Sequence, residues 1–218
     1  MKISVVIGKN SSGENKCIDL NEIHVLFVSY LHDKQLFEII QQVTGYENNT
    51  YFISQNCAKE LQLSKEKCSL YIKDEPTSGN LYNRKEIFKQ ILKEIKRKRS
   101  STVKKKSTTS QFRFLIVDNI WDIITSKQKQ LALDLMLIII YGASVGYRII
   151  IGSTLSYRNL LEQVIAMHPV LIKELENQFK SPIPKRIDEI SDELIFTAEE
   201  FVYHKKAKSL SIEKYFMK

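Results

Sequence analysis

The sequence predicts an α/β fold: a mostly parallel, doubly wound sheet flanked by helices, with an N-terminal β-hairpin. Two observations predict it. Short apolar runs such as Leu115, Ile116 and Val117 have the unbroken apolar character of strands covered on both faces, as in parallel sheets. These runs alternate with helix-spaced segments, and such alternation assembles through right-handed crossovers onto one sheet. With 218 residues and 43% hydrophobic content, the chain can bury a substantial core. It reads as one domain over residues 1–218.

Taken in order, residues 3–7 and 16–20 are apolar runs joined by the turn-rich Gly8-Lys-Asn-Ser-Ser-Gly13, which predicts the hairpin. Residues 24–29 form a buried strand. Over 33–43, Leu36, Phe37, Ile39, Ile40 and Val43 recur at helical spacing. Residues 50–54 and 69–73 are further strands, separated from their neighbours by turn-rich stretches. From residue 83, Ile87, Phe88, Ile91, Leu92 and Ile95 make one apolar stripe, with lysines and arginines mostly off it. The Ser/Thr-rich, basic stretch 100–111 has almost nothing to bury and predicts a flexible loop within the domain. A central strand ends at Asp118, an apolar helix covers about 127–141, and 146–152 is another buried strand. Leu160, Leu161, Val164 and Ile165 resume helical spacing, and Pro182 and Pro184 interrupt any helix beyond them. Residues 193–196 and 200–203 predict two short strands before Tyr215 and Phe216.

Composition narrows the function classes. Cys17, Cys57 and Cys68 form no CxxC pair and are too few for a disulfide framework, which points to a reducing cytoplasm. The N-terminus lacks the pattern of a secretory signal. The most apolar segment, 131–145, carries Asp134 and falls short of the roughly 20 residues a bilayer requires, so no membrane insertion by this chain is expected. The formal net charge is +8, and one segment accounts for all of it. Lys89, Lys93, Lys96, Arg97, Lys98, Arg99, Lys104, Lys105 and Lys106 stand against Glu94 alone. A charge excess confined to one segment predicts a local polyanion contact, and a solvated helix face with a flexible loop is the plainer alternative. The basic residues lack aromatic neighbours for base stacking, so the nucleic acid expected is duplex DNA.

The order of motifs resembles the motor domain of FtsK/SpoIIIE-type DNA translocases, in the HerA/FtsK branch of the RecA-like P-loop ATPases. The stretch from Ile7 to Leu20 is similar to that family's glycine-turned hairpin, and His24-Val-Leu-Phe-Val is similar to its first core strand. Phe114-Leu-Ile-Val-Asp118 followed by Trp121-Asp122 is similar to its acidic strand end. Gly146-Tyr-Arg-Ile-Ile-Ile-Gly-Ser-Thr154 is similar to its sensor strand. The resemblance covers most of the chain.

Departures fall on the residues ATP chemistry uses. A phosphate loop GxxxxGK[ST] needs glycines so that main-chain N–H groups can wrap the phosphates, a lysine for their charge and a hydroxyl for magnesium. Here the matching stretch, 29–36, contains no glycine, and Gln35 follows Lys34. Lys34 is either a relic of the phosphate lysine or a solvated lysine at a helix start. Asn119 stands where the family has the glutamate that polarises the attacking water, and an amide cannot accept a proton. Thr154 stands where the family has a nucleotide-sensing glutamine.

The sequence thus predicts a pseudo-ATPase that is not an enzyme and has no cofactor. Lys34, Asp118, Asn119 and Thr154 are its vestigial site, and it acts as a DNA-binding or assembly subunit beside an active ATPase or copies of itself. Two alternatives stay open: a metal-dependent phosphodiesterase using Asp118 and Asp122, and a weak ATPase completed by a partner subunit.

Overall fold

The unbroken apolar runs are explained by the two layers of side chains they feed. In the computed structural model of the chain, the described residues are 3–9, 12–30, 33–44, 50–54, 70–73, 80–100, 113–120, 123, 129–179, 187, 190–196, 200–204 and 212–216. Alternate residues of the central strands face opposite sides of the sheet, as the pleat requires. Val25, Phe27, Leu115, Val117, Ile149 and Ile151 enter one core cluster, whereas Leu26, Val28, Phe114, Ile116 and Ile150 enter the other.

The elements run in the order β1 (Ser4–Lys9), β2 (Asn15–Asp19), β3 (Val25–Ser29), α1 (Asp33–Thr44), β4 (Thr50–Ser54), β5 (Leu70–Lys73) and α2 (Asn80–Ser100). Next come β6 (Arg113–Val117), α3 (Lys129–Tyr141), β7 (Tyr147–Ser153), α4 (Tyr157–Met167) and α5 (Pro169–Phe179). The chain closes with β8 (Ser191–Phe196), β9 (Glu200–His204) and β10 (Ile212–Phe216). All described strands join one sheet of ten, ordered β2-β1-β10-β9-β8-β3-β7-β6-β4-β5. From β8 to β5 every pairing is parallel, and from β2 to β8 every pairing is antiparallel. The mostly parallel, helix-flanked sheet with an N-terminal hairpin is therefore as the sequence predicts. One feature departs from expectation: Tyr215 and Phe216 belong to a strand, β10, which joins the hairpin to the rest of the sheet.

Helix α1 covers one face, where Leu36, Ile39, Ile40 and Val43 meet hairpin residues Ile3, Val5, Ile7 and Ile18. Helices α2, α3 and α4 cover the other face, with Phe88, Ile91, Leu135, Ile138 and Val164 among the buried contacts. Gln42 of α1 pins the hairpin by treating Val6 as a strand partner would. Its Oε1 accepts from the Val6 N–H at 2.8 Å and its Nε2 donates to the Val6 carbonyl at 2.9 Å. Arg148 of β7 fixes the other end of the hairpin. Its guanidinium donates to the Leu20 and Asn21 carbonyls at 3.2 and 2.9 Å, and lies 3.2 Å from Nδ1 of His24. The predicted flexible loop, 100–111, lies outside the described residues except for Ser100 at the end of α2.

Candidate functional site

In an open parallel sheet, ligands meet the carboxyl ends of the strands. Here those ends bring together Ser29, the last residue of β3, and Tyr30 after it, Asp118 and Asn119 after β6, and Ser153 and Thr154 at the end of β7. Register puts Ser29 beside Ser153 and Val117 beside Ile151, so Asp118 emerges next to Gly152. Asp118 is 2% exposed. Asn119 is half-buried, while Thr154 and Lys34, the latter in the first turn of α1, are exposed. The four vestigial candidates thus lie along one sheet edge.

Tyr30 is the residue at this edge that sequence reasoning missed. It is buried, and its hydroxyl donates to the Asp118 main-chain carbonyl at 2.8 Å, while its N–H donates to the Ser153 carbonyl at 3.0 Å. The ring crosses from β3 over β7 to β6. Close packing beneath it requires glycine at 152: a Cβ there would stand 2.4 Å from the Asp118 carbonyl oxygen, 2.4 Å from Cδ2 of Leu36 and 3.0 Å from Cε1 of Tyr30. The only available signal was an aromatic at the start of a glycine-free turn.

The neighbouring turn is tied down as well. Ser29 Oγ donates to the Leu155 carbonyl and Ser153 Oγ accepts from the Leu155 N–H, both at 3.0 Å. Ser156 caps α4 by accepting from the Asn159 N–H at 3.4 Å. This edge is therefore a set of buried main-chain and hydroxyl contacts with Thr154 and Lys34 at its rim.

At the opposite end of the strands, His24 sits beside Arg148. Partial burial holds its pKa below the ordinary histidine value, the Arg148 charge lowers it further, and Asp192 opposes both. Asp192 is buried and accepts a short hydrogen bond from the Tyr203 hydroxyl. Arg148 therefore joins the hairpin to the sheet in this structure.

Of the basic residues singled out, Lys89, Lys93, Lys96 and Arg97 lie exposed on α2. Lys98 and Arg99 belong to the last turn of α2, and Lys104, Lys105 and Lys106 lie outside the described residues. Asp122, the second acid of the phosphodiesterase alternative, lies outside them too. Among the described residues no group of three or more His, Cys, Asp and Glu side chains is placed to hold a metal. No described helix is long and apolar enough to cross a membrane.

Neither the protein-family models nor the curated proteins give a match to this chain. Solved structures do. The cytoplasmic domain of the type VII secretion ATPase EccC from Thermomonospora curvata superposes with a TM-score of 0.65 at 11% identity, covering 99% of this chain and 28% of that one. The pCW3 conjugation coupling protein TcpA, solved with ATPγS, gives 0.60 at 13% identity, covering 100% and 66%. ATPases 2 and 3 of EssC from Geobacillus thermodenitrificans give 0.59 at 9% identity, covering 99% and 44%. The chain thus spans less than half of the EccC and EssC chains and about two thirds of TcpA.

These neighbours define the class: the fold is that of the RecA-like P-loop ATPases. Within that class it is the FtsK/SpoIIIE-type fold, as the motif order indicates. The expectation that the chain is not an enzyme is corrected by the same comparison. The neighbours are ATPases, and the fold shared with them is that of an enzyme family.

Proposed function

We propose that this chain is an assembly domain of an FtsK/SpoIIIE-type ATPase in a cytoplasmic DNA-handling system, with nucleotide held jointly by this chain and another subunit. The other subunit is a second copy or a companion ATPase. The position of Tyr30 is the observation that carries this reading. The phosphate loop of the resembling family comes after the first core strand, and here that place holds a buried aromatic bonded to the Asp118 carbonyl. A phosphate cradle needs closely approaching main-chain N–H groups, which glycine permits and bulky side chains obstruct. This chain's own turn therefore contributes little to phosphate binding, and the exposed Thr154 and Lys34 are its offerings to a shared edge, with Asp118 buried behind them.

Two features favour DNA over a protein cargo. The basic segment of α2 suits a polyanion, and TcpA, a neighbour over the whole of this chain, is a conjugation coupling protein. The domain reading of 1–218 belongs to the same proposal.

Steady-state ATP hydrolysis across a concentration series tests it. The expected rate per chain is negligible at high dilution and rises as the chain self-associates or as a companion ATPase is added. A full rate per chain that is independent of concentration would place the whole site within one subunit and overturn the reading.

A further inference from the structure

The guanidinium of Arg148 meets three acceptors, and one of the three can take up a proton. Arg148, on β7, is 7% exposed. It donates to the Leu20 carbonyl at 3.2 Å and to the Asn21 carbonyl at 2.9 Å, where the chain turns from β2 toward β3. Its Nη1 lies 3.2 Å from Nδ1 of His24. A guanidinium stays charged in a protein and only donates, so Nδ1 is the accepting nitrogen and the neutral ring carries its hydrogen on Nε2. The two carbonyls accept at any pH. The imidazole accepts only while neutral, because a proton on Nδ1 would set donor against donor and cation against cation across the same gap.

We infer that His24 and Arg148 form a proton-operated latch on the N-terminal hairpin, closed on the Leu20–Asn21 turn when His24 is neutral and released when His24 is protonated. Arg148 is enclosed, whereas His24 is exposed and exchanges protons with water. On protonation Arg148 loses one acceptor and gains a repelling charge, which weakens its hold on the two carbonyls. The groups facing the pair set the direction. Partial burial holds the His24 pKa below the ordinary value, the Arg148 charge lowers it further, and Asp192 of β8 opposes both. Asp192 is itself buried and accepts from the Tyr203 hydroxyl of β9. Of the acids in the hairpin turn, Asp19 accepts from the N–H and Nδ2 of Asn21 at 2.9 and 2.8 Å, and Glu22 is exposed. Gln42, an amide that does not titrate, keeps its two bonds to Val6 throughout, so protonation frees the turn while β1 stays on α1. The latch lies at the opposite end of the strands from Asp118 and Thr154, and the inference is independent of the nucleotide reading above.

Amide hydrogen exchange read by NMR at about pH 7.5 and about pH 5, values that bracket the ordinary histidine pKa, tests it once the intrinsic pH dependence of exchange is removed. Because the closed state has the lower pKa, the released state binds the proton first and the latch opens as the pH falls below about 6.5. The Leu20 N–H donates to the Ile3 carbonyl at 2.9 Å and the Glu22 N–H to the Asp19 carbonyl at 3.2 Å. Protection at these two amides is expected to fall several-fold more than protection at Ile151. His24→Asn keeps an acceptor where Nδ1 stood and does not titrate, so its turn is expected to stay protected at both pH values. Arg148→Met is expected to leave the turn poorly protected at both; should that variant fail to fold, His24→Asn decides alone. Nitrogen chemical shifts of the His24 ring at the higher pH are expected to show the proton on Nε2. A neutral ring protonated on Nδ1, turn protection that merely follows Ile151, or an equal acid-dependent loss in His24→Asn would each overturn the inference.

Discussion

Gly152→Ala is the sharpest test of the packing at the carboxyl edge of the sheet. The added methyl would lie 2.4 Å from the Asp118 carbonyl oxygen and 2.4 Å from Cδ2 of Leu36. Leucine can swing aside, but the carbonyl belongs to the main chain leaving β6 and also accepts the Tyr30 hydroxyl at 2.8 Å. Reaching an ordinary contact of about 3.5 Å requires β6 and β7 to separate by roughly an ångström. Overpacking of a tight core costs about 1–3 kcal/mol, and disturbing the Tyr30 bond adds about 1 kcal/mol. A total near 3 kcal/mol corresponds to a Tm lowered by about 6–12 °C for a domain of this size. Urea denaturation of the natural and substituted chains measures the difference. Leu36→Ala added to Gly152→Ala should give little rescue, since the carbonyl contact persists. A loss below about 0.5 kcal/mol would refute the close approach of β6, β7 and Tyr30, since that is the range of surface changes.

Other consequences come from single contacts. Tyr30→Phe removes the donor to a buried carbonyl and should cost about 1–2 kcal/mol in the same denaturation assay. Gln42→Ala removes two hydrogen bonds to Val6 at an exposed position; hydrogen exchange should show lost protection at the Val6 amide while the Ile151 amide stays protected. The folded-state pKa of His24 lies below its ordinary value, chiefly through burial. The unfolded chain therefore binds the extra proton first, and stability present above about pH 6.5 falls as the pH drops through the folded pKa. His24→Gln should flatten that decline, and an NMR titration of the His24 ring should show the lowered midpoint directly.

Much of the fold was legible because it is written in short-range pattern. The runs at 115–117 and 149–151 are apolar without a break because both faces of each strand are covered, and the stripe of α2 at Ile87, Phe88, Ile91 and Ile95 is its buried side. Strand β10 was not legible. Residues 212–216 gain their strand character from pairing with β9, and their own sequence, with Glu213 and Lys214 beside Tyr215, carries only a weak alternation. The candidate site was named in the sequence only through the motif resemblance, at Asp118, Asn119, Lys34 and Thr154; the fold sets these four along one edge, and their role as a site is the proposal made above. The closure of that edge was not legible. That a tyrosine after β3 would cross to the Asp118 carbonyl depends on the spacing of three strands joined only in the folded sheet. Glu94 shows the same limit: its partner, Arg113, lies 19 residues away on another element, so a charge count along the chain placed Glu94 within the basic segment without showing that it is neutralised.

The central claim, that nucleotide is not held by this chain's own turn after β3, is tested most directly by thermal unfolding of the dilute isolated chain with and without ATP and magnesium. At 1 mM ATP, a self-contained site with a Kd of about 10 μM would stabilise the native state by about 2.7 kcal/mol, raising the Tm by about 5–11 °C. The account predicts no rise beyond measurement error, whereas a rise of several degrees that disappears without magnesium would contradict it.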